Sequence, residues 1–399
     1  MSTLKVDNIR HNSATSDAIT MASDGTCTAK LTGITEGGAL SNRNKIINGD
    51  FTIHQRGGTI ASGSGVYTLD RWRSYRTGDS SGGYTVQQST GSYPQTNISG
   101  VIDNFKASAF ITVTSAGSAD TNNNCKFQQR IEGSNVYDLA FGTVAAKKVT
   151  VSFYVKCSLT GDFGVALVNE NHNRSNVQLY TVNSASTWER KVITFDGDTS
   201  GTWAFNTGTG LQLMFDMGSG SNKHASSTNT WLSGEYHGTT SSVKLIHTNG
   251  ATMQYAGVQL ETGSVATSFE HRSISEELLR CQRYFKRFRG PVGGGGGYGS
   301  AGDGAVCTMA NWTNTAAYAL MPLGVEMRYA PKLTGFANLN YFSAGNTWAP
   351  PSPSQCYLAG SSYDRVELTL QGMSNMSQGN AGWLRIDNPS GYMDFDAEL

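Results

Sequence analysis

The stretch Tyr255-Ala256-Gly257-Val258-Gln259-Leu260-Glu261 decides the architecture. Apolar Val258 and Leu260 alternate with polar Gln259 and Glu261, the period-two pattern of a strand with one buried face. Thr262-Gly263 turns the chain, which continues through Ser268-Phe269-Glu270-His271-Arg272 into a helical stretch. Gly290-Pro291-Val292 and five glycines, Gly293 to Gly297, follow. Upstream the chain reads as strands, and downstream it changes character. The stretch closes one domain and launches another.

The helix is predicted over 273–289. Ser273 is its N-cap and Glu276 stands three residues later, the capping-box spacing. Ile274, Leu278, Cys281, Phe285 and Phe288 recur at helical spacing as one apolar stripe. Gly290 and Pro291 stop it. The stripe suits either a connector packed on its own domain or self-association about a symmetry axis. At under two heptads it cannot hold a coiled coil alone.

Working upstream, residues 44–272 read as the main domain. Its firmest strands are Ala109 to Val113, Val149 to Val155 and Gly164 to Val168, and Trp188 to Phe195, Leu211 to Phe215 and Tyr255 to Glu261 follow. Turn clusters such as Asp196-Gly197-Asp198 separate them, and no helix intervenes. That pattern predicts a mainly β chain with an antiparallel jelly-roll sandwich. Residues 1–43 are polar and cannot form a core of their own. They are either a loose tail or an arm that orders on a partner.

Downstream, residues 290–399 read as a small β tip domain. Its strands are Val306 to Ala310, Ala317 to Met321, Lys332 to Phe336, Val366 to Leu370 and Trp383 to Ile386. Loops rich in Tyr, Trp, Asn and Ser lie between them, at Gly293–Gly302, Tyr341–Pro353 and Gly372–Gly382. Of these, Gly293–Gly302 and Tyr341–Pro353 are predicted to stand exposed and carry binding contacts, and the unit's aromatic candidates are Tyr298, Trp312, Tyr341, Trp348 and Tyr363.

Composition narrows the function. Net charge is zero, which argues against a nucleic-acid binder. Charge is uneven: six basic and two acidic residues from Arg272 to Arg289 precede four basic and eight acidic ones to Leu399. The six cysteines have no CxxC spacing and read as buried thiols made in a reducing compartment. No apolar run is long enough to span a membrane. No HExxH, GxSxG or P-loop is present. Asn169-Glu170-Asn171-His172-Asn173 offers oxygen atoms that calcium could take, but it lacks the spaced acids of an EF-hand and reads as a turn. No metal or cofactor is predicted. No hydrolytic carboxylate pair is marked, although such partners can be distant in sequence.

The order Gly257-Val258-Gln259-Leu260-Glu261, Gly263-Ser264, Phe269-Glu270-His271-Arg272, Glu276-Glu277 and Cys281-Gln282-Arg283-Tyr284-Phe285 resembles a segment of tailed-phage virion proteins. These are tail fibres, receptor-binding proteins and other minor tail proteins. Ser2 to Ile9 with Asp17 to Thr20 resembles the attachment segments of phage fibres, especially marine ones. Met327-Arg328-Tyr329-Ala330-Pro331 and the ending Asp396 to Leu399 are similar to later parts of the same proteins. Asn48-Gly49-Asp50-Phe51, the strand from Trp188 to Phe195 and the closing Gly257 to Glu261 resemble jelly-roll carbohydrate-binding modules.

These resemblances imply a virion tail-fibre protein of a marine or cyanobacterial phage, assembled in the host cytoplasm. It would join a tail or baseplate protein through its N-terminal arm and bind host polysaccharide or lipopolysaccharide without catalysis. Fibres of this kind are commonly homotrimers, and the Ile274–Phe288 stripe also asks for a partner. A tailspike depolymerase and a structural virion protein are the alternatives. In the jelly roll, aromatics that stack on sugar rings are sought among Trp203, Trp231, Tyr236 and His237, which lie in polar loops. Trp72 and Trp188, on patterned strands, are assigned to the core. Closure of the sandwich between its first and last strands predicts that Glu261 pairs with Arg56 or Arg71. A solvated edge carboxylate is the alternative.

Overall fold

The computed structural model describes residues 6–10, 12, 13, 15, 19–21, 23, 27–29, 42–78, 82–96, 101–290, 304–343, 347–349, 351, 352, 354–374, 376–386 and 389–399. Within the N-terminal arm, β1 (Asn8–Ile9), β2 (Ile19–Met21) and β3 (Cys27–Ala29) form a small antiparallel sheet. Ile9 and Met21 are exposed on it. The chain divides into two compact units. One comprises Met1–Thr52, Thr59–Thr68 and Trp72–His271, and the other Ile53–Gly58, Leu69–Arg71 and Arg272–Leu399.

The first unit holds β4 (Thr59–Ala61), β5 (Val66–Leu69), β6 (Trp72–Thr77), β7 (Gly83–Ser89), β8 (Ser108–Ser115), β9 (Asn124–Glu132), β10 (Val149–Cys157), β11 (Gly161–Asn169), β12 (Arg174–Val182), β13 (Glu189–Phe195), β14 (Thr209–Asp216), β15 (Trp231–Ser233) and β16 (Thr252–Thr262). They form a six-stranded sheet, β13-β10-β16-β8-β7-β4, and a seven-stranded one, β15-β12-β11-β14-β9-β6-β5. Successive strands such as β8, β9, β10 and β11 pass from one sheet to the other, the jelly-roll pattern. The two inner faces meet through aromatic rings. Tyr255 of β16 stacks on Phe215 of β14 at 4.4 Å, and Phe153 of β10 meets Phe215 edge-on at 5.1 Å. The phenol oxygens of Tyr180 and Tyr255 are 2.7 Å apart across the same core.

Trp72 lies in this core as expected, stacked on Phe127 with ring centroids 5.0 Å apart. Trp188 is buried in a satellite cluster with Val101, Phe105, Tyr154 and Ala256. Residues 255–261 form a strand as the alternation predicts, but both its faces are buried, Gln259 and Glu261 included, and it carries a bulge the alternation did not reveal. Tyr154 pairs with Ala256 and Ser152 with Gln259, so β16 has one residue more than β10 between those pairs. Gly257 takes that place at φ 57°, where a Cβ would stand 2.3 Å from the ring of Phe105.

Closure comes from the segment before β4. Lys45 N–H donates to Leu260 O and Val258 N–H to Gly49 O, each at 2.8 Å. Asn44 Oδ1 accepts from Leu260 N–H, and Glu270 accepts from the backbone N–H groups of Arg43 and Asn44. Gly49 is required because a Cβ there would lie 2.1 Å from Val258 O. The expected partner of Glu261 is corrected. Its oxygens accept from Gln259 Nε2, Thr267 N–H and Thr267 Oγ1, and its nearest cation is Arg43 Nε at 3.8 Å. Local donors satisfy a carboxylate before a distant guanidinium is needed.

The second unit holds α1 (Ile274–Gln282), β17 (Phe285–Arg289), β18 (Gly304–Asn311), β19 (Ala317–Pro322), β20 (Lys332–Ala337), β21 (Leu339–Ser343), β22 (Thr347–Ala349), β23 (Cys356–Ser361), β24 (Arg365–Leu370), β25 (Ala381–Ile386) and β26 (Tyr392–Asp396). The sheets are β17-β26-β20 and β22-β21-β25-β18-β19-β24-β23. Their shared core includes Met321, Met327, Leu368, Leu384 and Phe395.

The helix begins as predicted, with Ser273 Oγ accepting from Glu276 N–H. It then ends at Gln282, not at 289, and Phe285 and Phe288 lie on a strand. Pairing of β17 with β26, backed by a bidentate Arg287–Asp394 bridge at 2.7 Å, outweighs the helical spacing. The stripe therefore does not form: Ile274 is exposed, Leu278 half-buried and Cys281 buried. Arg56 and Arg71 serve this unit. Arg71 bonds Glu398 and lies 3.5 Å over the Tyr284 ring, and Arg56 lies 3.6 Å over Phe285 and 3.4 Å from both Asp396 and Glu398.

Candidate binding face of the seven-stranded sheet

Strand pleating turns every second side chain of β6, β9 and β14 away from the core. Trp72, Phe127 and Phe215 point inward, so Arg73, Tyr75, Lys126, Gln128, Arg130, Gln212, Met214 and Asp216 lie on the outer face. Register aligns them in rows. Tyr75 pairs with Lys126 and Lys126 with Asp216; Arg73 pairs with Gln128 and Gln128 with Met214; Arg130 pairs with Gln212. On β11, Ala166 continues the second row beside Met214.

Tyr75 is the flat element of this face. Lys126 Nζ stands 4.9 Å and Arg73 Cζ 5.4 Å from its ring centre, within cation–π range. Around it a single carboxylate collects cations. Glu235 bonds Lys126 Nζ, meets Lys223 Nζ at 2.5 Å and takes His172 Nδ1 at 2.8 Å. Gln212 Nε2 lies 3.1 Å from His172 Nε2 on the other side of the ring. Burial pushes the Glu235 carboxyl up, but the His172 hydrogen bond and the Lys126 charge outweigh it and hold it well below the usual carboxylate range. Burial likewise pulls Lys126 down to about 8, against the pull of Glu235. Asp216 is engaged elsewhere, by His237 Nδ1 at 3.3 Å and Ser219 N–H at 2.9 Å.

Gln128 is fully buried in the middle of this array, and neither its Nε2 nor its Oε1 has a partner. Arg73 Nε and Nη1 and Gln212 Oε1 are also without partners. Unpaired buried polar groups cost about 1–3 kcal/mol each. Gln128 has no exposed surface, so a ligand on this face would meet the partly exposed Tyr75 ring and Arg73 guanidinium.

The predicted aromatic residues scatter. Tyr236 belongs to this outer face, half-buried against Ala166, Val168, Val177 and Met214. Trp203 is only 8% exposed and packs perpendicular to Trp231 at 5.4 Å, with Phe141 completing a triad. The Trp231 Nε1–H donates to Asp196 O at 2.7 Å, and Trp231 stays half-buried. His237 is wholly buried. Tyr341 is corrected from exposed loop to core: it lies on β21 at 1% exposure, with its hydroxyl bonded to Asn311. Its neighbours Leu339 and Phe342 are buried too, because β21 pairs with β25. Tyr298 and the side chain of Trp348 lie outside the described residues, as does the loop Gly293–Gly302. Trp312 and Tyr363 are exposed.

The segment from Asn169 to Asn173 closes on itself as a turn, with Asn169 Oδ1 accepting from Asn173 and Arg174 N–H. Arg73, Tyr75, Lys126, Gln128 and Arg130 were not singled out from sequence. Their signal was the polar set Lys126, Gln128 and Arg130 alternating with Cys125, Phe127 and Ile131 on a central strand.

No protein-family model matches the chain, and no curated protein matches it. Among solved structures it is similar to the enzymatically active domain of tailspike protein 4 from bacteriophage CBA120, with 11% identity over 55% of this chain and a TM-score of 0.29. That match spans only 21% of the tailspike chain. It is similar also to TmCBM61 in complex with β-1,4-galactotriose, with 10% identity, 55% of this chain, 99% of that one and a TM-score of 0.27. A family 11 carbohydrate-binding module from Clostridium thermocellum, in complex with a β-1,3-1,4-mixed-linked tetrasaccharide, matches at 12% identity over 54% of this chain and 100% of that one, TM-score 0.24.

Proposed function

We propose that this chain is a phage tail-fibre adhesin that holds host-surface glycan, without cleaving it, on the outer face of the seven-stranded sheet. The observation that carries the binding reading is the partly exposed ring of Tyr75, with the Arg73 and Lys126 cations 5.4 and 4.9 Å from its centre. The fibre assignment is supported by the resemblance of 257–285 to tail-fibre segments. On this face Glu235 is unsuited to be the general acid of a hydrolytic pair. A general acid must hold a proton near neutral pH, and three basic side chains keep this carboxyl ionised.

A glycan array with the full chain tests the reading. Wild type should retain bacterial surface polysaccharides and release no reducing ends from them. Tyr75→Ala should weaken retention about tenfold, the loss of one stacking contact. Unchanged retention by a Tyr75→Ala protein of normal melting temperature overturns the assignment of the face.

The same reading expects a homotrimer. What supports it is apolar surface exposed on the second unit: Ile274 and Leu279 of α1, and Tyr318, Leu320 and Trp383 on the outer face of its larger sheet. Light scattering should give three times the chain mass at micromolar concentration, and a stable monomer rejects the trimer.

A further inference from the structure

We propose that a cavity built from the β8–β9, β14–β15 and β15–β16 connections binds one acidic sugar residue through its carboxylate. The cavity measures about 280 Å3. That is just below the range for drug-sized ligands, roughly 300–1,000 Å3, and suits a single ring. Its lining includes Lys244, His224, His247, Asp120 and Asn123, with backbone from Gly218 to Ser221. Among the described residues no aromatic carbocycle lines it, so these offer no stacking platform for a neutral sugar. Tyr75 does not line it, and the proposal stands apart from the one for the sheet face.

The basic wall is short of an acceptor. His224 Nε2 lies 2.8 Å from Lys244 Nζ and 3.0 Å from Ser219 O. One ring nitrogen cannot serve both. As acceptor from Lys244 it turns a lone pair on the carbonyl, and as donor to Ser219 it turns N–H on the ammonium. Lys244 also reaches Thr239 O at 3.4 Å, and neither nearby carboxylate is hydrogen-bonded to it. Asp216 is fully buried and accepts from Ser219 N–H, and Asp120 Oδ1 accepts from Asn122 N–H at 2.9 Å. A carboxylate in the cavity supplies the missing acceptor.

The opposite need appears across the cavity. Asn123 is 1% exposed, its Nδ2 donates to Ser118 O, and its Oδ1 has no partner. That oxygen is sealed against Gly78, but Asp120 on the same wall can accept a hydroxyl. A carboxylate with hydroxyls on the same small ring meets both walls. A bare anion meets one.

The imidazoles agree with this arrangement. Burial, helped by Lys244, pushes His224 and His247 below the ordinary histidine value, and burial lowers Lys244. A bound carboxylate favours the protonated forms and raises all three. Affinity is then fullest at low pH and is lost as pH rises through the raised histidine values.

Calorimetry on the full chain tests this with glucuronate and galacturonate as probes, and glucose and inorganic phosphate as comparisons. At least one uronate should bind about tenfold or more tighter than either comparison. It should weaken about tenfold between pH about 5.5 and about 8, the change expected when binding raises the pKa of a single histidine by about one. Lys244→Met should weaken uronate binding at least about tenfold at unchanged melting temperature. If that variant fails to fold, His247→Gln provides the same comparison. Glucose binding as tightly as the uronates, phosphate binding more tightly, no uronate heat at millimolar concentration, or variants that bind as wild type each overturn the proposal.

Discussion

Replacing Glu398 by alanine should lower the stability of the second unit by about 3–5 kcal/mol. Glu398 is almost wholly buried and faces two guanidiniums, those of Arg71 and Arg56. Arg71 is 1% exposed and clamped over the Tyr284 ring, so it cannot turn to water when its partner is removed. Burial pushes the Glu398 carboxyl up, against the pull of Arg71 and Arg56. Making the pair therefore gains little over the separate, solvated ions. Breaking it takes the carboxylate from the buried Arg71 and leaves Arg56 only its 3.4 Å contact with Asp396 among the described ion pairs, and that asymmetry sets the size of the effect. Glu398→Gln keeps the shape and an acceptor and should cost less than half as much. Urea denaturation reads the difference as a shift of midpoint at constant slope. A loss below about 1 kcal/mol for the alanine variant would place this cluster with ordinary surface pairs.

Trp72→Ala should cost the first unit about 3–5 kcal/mol, the range for a large aromatic removed from a packed core. Trp72 has no exposed surface and stacks between Phe127 and Phe51, each at 5.0 Å. Its indole N–H donates to Asn48 O at 2.9 Å. Asn48 and Phe51 both hold positive φ, 57° and 58°, which non-glycine residues adopt at a cost. The indole thus fills the core and also pins a strained turn at the start of the domain. Trp72→Phe restores part of the volume without the donor, so it should recover roughly half of the loss. If Trp72→Ala melts like wild type, the packing assigned to this core is wrong.

Several elements were legible in the sequence because they rest on local chemistry. Alternation placed the strands at 109–113, 149–155, 211–215 and 255–261, and their inner faces carry the core. The Ser273 cap and its Glu276 partner follow from hydrogen bonding within one turn. Trp72 and Trp188 were assigned to the interior by their patterned neighbours.

What the sequence left open depends on pairing between distant strands. Phe285 and Phe288 keep helical spacing with Leu278, but β26 offers the backbone a ladder that the spacing cannot show. Tyr341 has the neighbours of an exposed loop, yet β25 draws it into a sheet. Glu261 could have met any arginine near the start of the domain, and Thr267 and Gln259 reach it first. The candidate face is the clearest instance. Arg73, Tyr75, Lys126 and Gln128 come from two strands nearly fifty residues apart, and each is unremarkable alone. Only the register of β6 against β9 brings a ring, two cations and an unpaired amide onto one surface. Alternation determines which face of its own strand a side chain takes; its neighbours across the sheet are set by tertiary pairing.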